Sequence, residues 1–309
     1  MSEIAWLVPV VLTVITASTP LLLAATGELI TEKAGVLNLG VEGMMLVGAI
    51  AAFAAASATG SGALGILAGA LCGASLALVF AVLTLSLYAN QVATGLALTI
   101  FGIGASAMAG AGFVGFALQP LPQLALPYLS SLPVAGPILF GQDVLVYLSF
   151  AALVAVAWFL ARTRAGLILR AVGEAPESAH AVGHPVIRVR YLATLFGGLM
   201  AGLAGAYLSL AYTPMWAENM TAGRGWIAVA LVVFATWRPW RLLLGAYMFG
   251  AITILQLHAQ GAGIHLPSQF LSMLPYLATI LVLVLISRDR AKIRLNAPAS
   301  IGRAFRAEH

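Results

Sequence analysis

The chain has 309 residues, of which 61% are hydrophobic and only 8% charged, with a formal net charge of +5. Soluble domains carry about 25% charged residues to face water, so a soluble fold is excluded and a polytopic helical membrane protein is expected. The basic residues gather between apolar runs rather than in one patch, which excludes a nucleic-acid footprint; the single cysteine, Cys72, excludes an internal disulfide.

Apolar runs follow in order at Trp6–Thr26, Val36–Ser57, Ala63–Leu85, Gln91–Gly115, Val144–Ala161, Tyr191–Tyr212, Gly225–Trp237, Leu242–His258 and Phe270–Ser287. A bilayer core needs about 20 helical residues, so eight or nine transmembrane helices are expected. The first run follows no Lys or Arg, unlike a secretory signal, and reads as a retained helix. The seventh is short, and either extends back through Met215–Gly223 or is broken there. No Asp, Glu, Lys, Arg or His occurs from Gly43 to Gln142, and the prolines of Gln119–Pro137 forbid a continuous helix between the fourth and fifth runs. A faint repeat relates Gly95–Gly104 to Gly225–Phe234.

Arg162, Arg164, Arg170, Arg188 and Arg190 lie between the fifth and sixth runs, and Arg238 and Arg241 between the seventh and eighth. Arg288, Arg290, Lys292, Arg294, Arg303 and Arg306 follow the ninth. Two spans separate these segments, so they share a side, and their charge makes that side cytoplasmic. The expected layout is one transmembrane domain over residues 1–287, with a cytoplasmic loop at 162–190, then a basic cytoplasmic tail at 288–309. The same parity places 119–137 outside and 27–43 at the cytoplasmic boundary, unless the second run re-enters.

Four segments hold groups able to act. Gly27–Ala49 carries Glu28, Glu32, Lys33, Asn38 and Glu42 among glycines at 27, 35, 40 and 43. Ionisable groups inside a bilayer are costly and face water or a partner, so this is either an interrupted helix lining a cavity or a polar elbow between two spans. Glu28 and Glu32, four apart, share a helix face. Gly173–Arg190 reads as a short helix started by Pro176 and ended by Gly183 and Pro185. A helix that short is not stable alone, so it docks on a partner or rests on lipid headgroups. Glu218, Arg224 and Trp226, at the outer mouth of the seventh run, can pair, meet a delivery protein or simply anchor the interface. Asn90, Gln91 and Thr94 give the fourth run a polar start that can bond a solute or a neighbouring helix. No HExxH or GxSxG motif is present, and neither Lys33 nor Lys292 lies in a phosphate-binding loop. No catalytic residue, metal site or bound cofactor is expected.

The stretch GELITEKAGVLNLGVEGMMLVGA at 27–49 resembles the ABC-importer permeases of the branched-chain amino acid, simple-sugar and nucleoside family, nearest to the nucleoside or simple-sugar branch. Similar matches follow at Asn90–Gly104, Gly173–Gly183, Gly223–Pro239 and Leu274–Leu285. In that family a short cytoplasmic coupling helix, EAA-x-x-x-G, enters a cleft on the ATPase. Glu177, Ser178 and Ala179 with Gly183 are similar, Ser replacing the middle Ala. The resemblance therefore implies a coupling helix over 174–183 that includes Glu174 and Pro176, and a translocation path near Gly35–Gly43, where Asn38 and Glu42 stand. It further implies a partner ATPase that holds ATP and Mg, a second, homologous permease, an extracytoplasmic solute-binding protein and a bacterial inner membrane. The low charge of the spans suits a neutral solute, a nucleoside before a simple sugar. An ion-coupled secondary transporter using Glu28, Glu32 or Glu42 is the alternative, and an intramembrane enzyme lacks paired catalytic groups.

Overall fold

The computed structural model describes residues 7–124, 134–261 and 296–306, together with single helical positions at 273, 277, 280, 281 and 284. The described residues form α1 (Leu7–Lys33), α2 (Val41–Thr59), α3 (Gly62–Ala81), α4 (Gln91–Gly110), α5 (Ala135–Phe140), α6 (Val144–Arg162), α7 (Arg164–Glu174), α8 (Pro176–Ala181), α9 (Val186–Tyr207), α10 (Arg224–Phe234) and α11 (Pro239–Gly261). A π-helical turn ends each of α3 and α9, at Val82–Ser86 and Leu208–Tyr212. Among the described residues there is no extended strand, only isolated bridges.

Among the described residues six helices are long and apolar enough to cross a membrane, fewer than the eight or nine expected. The seventh run is the reason for part of the difference: α10 has 11 residues, too short to span a core of about 30 Å. The eighth run forms the 23-residue α11. The ninth run lies almost wholly outside the described residues, as does 288–295 of the basic tail. The two segments of the faint repeat differ in kind, one lying within the 20-residue α4 and the other forming the short α10. α9 begins at Val186, earlier than its apolar run suggests, so Arg188 and Arg190 are helical.

α9 is the axis of the bundle, with 78% of its most apolar window buried against 28% for α4. It packs on α1, α2 and α3. Lipid offers no hydrophobic drive between helices, so close approach of backbones must supply the attraction. Small residues make that approach possible. A Cβ on Gly48 of α2 or on Gly73 of α3 would each lie 2.6 Å from Gly202 Cα. A side chain at Gly202 has no room at this three-helix crossing. Gly202→Val is expected to cost about 1–3 kcal/mol or more by overpacking, read as a lowered melting midpoint in detergent; an unchanged midpoint would contradict the packing described.

The helix ends have local causes. Asp143 caps α6 by accepting from the Leu145 and Val146 amides at 2.9 and 3.1 Å, and burial raises its carboxyl pKa. Asn90 caps α4 through the Ala93 amide at 3.0 Å. α1 ends on Gly35 (φ +84°), whose amide bonds Glu32 O while that of Val36 bonds Thr31 O, the paired closure that favours glycine. Lys33, Gly173 and Arg190 meet at one end of the bundle, with Arg170 and Arg238 acting on Lys33. That is the basic end; Thr59 and Tyr212 lie toward the other.

Candidate functional site

The chain does not cross from α1 directly into α2. Residues 34–40 climb without helical structure, held by α4: Gln91 Oε1 accepts from the Leu37 amide at 2.8 Å, and Thr99 Oγ1 donates to Leu39 O at 3.0 Å. Gly95 and Gly102 admit this segment, since a Cβ on Gly95 would lie 2.8 Å from Leu39 N and one on Gly102 2.5 Å from Gly43 Cα. Asn38 is wholly buried, accepts from the Gly40 amide at 2.9 Å and directs its Nδ2 to Met44 Sδ at 3.4 Å. Its amide donates to Glu28 Oε1 at 3.3 Å. The polar groups of this segment thus shape their own turn.

A second interruption meets it. After the π-turn at Leu208–Tyr212, residues 214–216 bridge to 114–118, and the chain then descends through turns to Gly223, where α10 begins. Glu42, 3% exposed, accepts from Thr221 Oγ1 at 2.5 Å, the Gly223 amide at 2.8 Å and the Gly225 amide at 2.5 Å. The carboxylate therefore sits at the N-terminus of α10, where free amides and the helix dipole favour negative charge. Its depth follows from α9. Gly205 packs on Met45, and the fifteen residues from Arg190 to Gly205 rise about 22 Å. Glu42, three residues before Met45, lies well inside the bundle.

The other end of α10 is also held by a carboxylate. Glu32 Oε2 accepts from Trp237 Nε1 at 2.6 Å. Thr236 and Trp237 adopt left-handed conformations (φ +49° and +52°), a strain of about 1–3 kcal/mol each, and Arg241 Nη1 donates to Thr236 Oγ1 at 2.7 Å. α10 is a half-helix slung between Glu42 and Glu32. Sequence reading pointed to Glu42 and to the break near 215–223 but did not join them, and Thr221, Trp237 and Arg241 were not singled out. A Thr four residues before the first α10 glycine is too common a pattern to have signalled it.

Other candidates stand apart. Gln91 and Thr99 serve the 37–40 segment; Asn90 is an exposed cap, and Thr94 is half-buried beside it. Glu218 is exposed and Trp226 is 37% exposed. Arg224 does not join Glu218: its Nη1 donates to Met220 O and Thr221 O at 3.3 and 3.2 Å, and its guanidinium lies 5.2 Å from the Tyr212 ring centroid.

The second locus is at the basic end. α7 is amphipathic, burying Gly166, Leu169, Val172 and Gly173 at helical spacing. Glu174, exposed, ends it. Pro176 opens α8, whose closure places Gly183 at φ +91°, with its amide on His180 O and that of His184 on Ala179 O. Pro176 and Ala179 are buried against the bundle, whereas Glu177, Ser178 and Gly183 are exposed and Val182 is 77% exposed. A six-residue helix thus keeps one face anchored and offers the other. Among the described residues no cluster of three metal-type ligands occurs.

Comparison with known proteins places the sequence in a family. Residues 10–286 match the family described as the branched-chain amino acid transport system permease component. TsgC13 of Haloferax volcanii, provisionally named a glucose ABC transporter permease protein, is 45% identical over 94% of this chain and 95% of its own length. The nucleoside ABC transporter permease protein NupC of Lactococcus lactis is 34% identical over 87% and 89%, and the guanosine ABC transporter permease protein NupQ of Bacillus subtilis 31% over 85% and 87%. No solved structure matches.

Proposed function

The chain belongs to the branched-chain amino acid transport system permease family, and from that premise we propose that it is one of two permease subunits of an ABC importer for a neutral solute, a nucleoside first and a simple sugar second. Membership, together with six apolar helices, makes it a multi-pass membrane permease rather than an ion-coupled carrier. ATP hydrolysis then belongs to a partner ATPase, which holds the nucleotide and Mg, and delivery of solute belongs to an external binding protein.

The observation that carries this reading is α8, anchored through Ala179 at 5% exposure while Val182 at its tip is 77% exposed. An apolar tip presented at the basic end is what a cleft on a second protein would take. The excess of positive charge around it supports a cytoplasmic location for that end. Force on α8 would shift the bundle between two packings, opening the path first to one side and then to the other. The half-helix α10 and the segment 34–40 are the parts of the bundle built from irregular backbone at depth, which membranes tolerate where protein or a cavity covers it.

A neutral solute suits the low charge of the spans, and both carboxylate oxygens of Glu42 accept bonds from the protein itself. Vesicles containing the permease, its ATPase and the binding protein are expected to take up labelled guanosine, or else glucose, and excess leucine is expected not to compete. Competition by leucine at the level of unlabelled solute would overturn the nucleoside-or-sugar reading.

A further inference from the structure

Arg190 is 1% exposed, although it stands four residues into α9. A buried guanidinium costs several kcal/mol unless its donors are matched. Three oxygens accept from it, and they come from separated parts of the chain. Nε donates to Ala34 O at 3.1 Å, Nη1 to Arg303 O at 2.9 Å and Nη2 to Ser300 Oγ at 3.0 Å. The first lies at the foot of the 34–40 segment; the others lie in the C-terminal segment 296–306.

That segment is bonded on two sides. Ser300 Oγ donates to Gly173 O at 2.7 Å, at the end of α7 just before α8. Gly302 N donates to Gly35 O at 3.2 Å, and Lys33 Nζ to Asn296 O at 2.7 Å. Phe305 packs with Val172, Ala179 and Val186, and its ring lies 5.5 Å from that of His180 on α8. Residues 296–306 therefore fill the space between α8 and the turn that leads to Asn38 and Glu42. Hydrogen bonds from a charged donor are stronger than neutral ones, so they hold together the parts they join.

We infer that Arg190 is a positioning residue which, through the C-terminal segment 296–306, ties α8 to the 34–37 turn, so that a displacement of α8 is carried to the interrupted segment at Glu42. The inference rests on α8 being the surface that the ATPase engages. In the reconstituted complex, Arg190→Lys and the milder Ser300→Ala are expected to assemble with the ATPase and to hydrolyse ATP at more than half the parent rate. Solute moved per ATP should fall at least about fivefold. A parental ratio in both variants would overturn the clamp. So would a Ser300→Ala complex in which assembly, hydrolysis and uptake decline together, because that is the mark of a merely structural bond. If the parent complex itself shows no ATP-driven uptake, the reading of α8 fails instead.

Discussion

Glu42→Ala is expected to reduce uptake at least about a hundredfold and to lower the melting midpoint of the permease. The carboxylate satisfies three donors at the head of α10, the Thr221 hydroxyl and the Gly223 and Gly225 amides. At 3% exposure Glu42 leaves its donors little access to bulk solvent as a substitute. Hydrogen bonds to charged groups contribute about 1.5–3 kcal/mol each, and a buried donor left alone costs a similar amount. Removal should therefore unseat α10 by about 3–5 kcal/mol, the range seen when one partner of a buried charged pair is lost. Glu42→Gln keeps the shape but turns an NH2 toward donors, so an intermediate loss is expected. Should Glu42→Ala transport at more than half the parent rate, α10 is not seated by this carboxylate.

The next largest effect is expected at α8. Glu177 is exposed, so Glu177→Arg should change stability by no more than about 0.5 kcal/mol. A Cβ at Gly183 would meet only open space, so the φ of +91° is the one obstacle to Ala there. That conformation costs a side-chain-bearing residue about 1–2 kcal/mol, enough to reshape the end of a six-residue helix without disturbing the spans. Both variants are expected at parental levels in the membrane, with uptake reduced about tenfold or more and ATP hydrolysis no longer responsive to solute. Parental uptake in both would remove α8 from the coupling path.

The fold was legible where apolar length decides it. The runs at 63–85 and 144–161 reappear as α3 with its π-turn and as α6 because nothing charged interrupts them. The start of α9 was missed because Arg188 and Arg190 look like loop residues, and only the structure shows a guanidinium satisfied by carbonyls from residues far away in sequence. α7 hid within a basic segment, its apolar face narrow and partly glycine. At the candidate site, Glu42 was legible because a carboxylate among glycines in an apolar chain is costly. Its partners were not, since Thr221 and two backbone amides carry no signature across 179 or more residues of separation. An interruption near Gly35–Gly43 reads from sequence; the long-range pairing of two interruptions does not.

The account depends on the permease being driven from outside itself, through α8. The most direct measurement places the purified chain in liposomes with its binding protein and labelled guanosine or glucose, with and without the co-purified ATPase. The account predicts accumulation only when ATPase and ATP are both present, and its loss in Glu177→Arg. Accumulation by the permease alone, driven by a proton or sodium gradient, would contradict it.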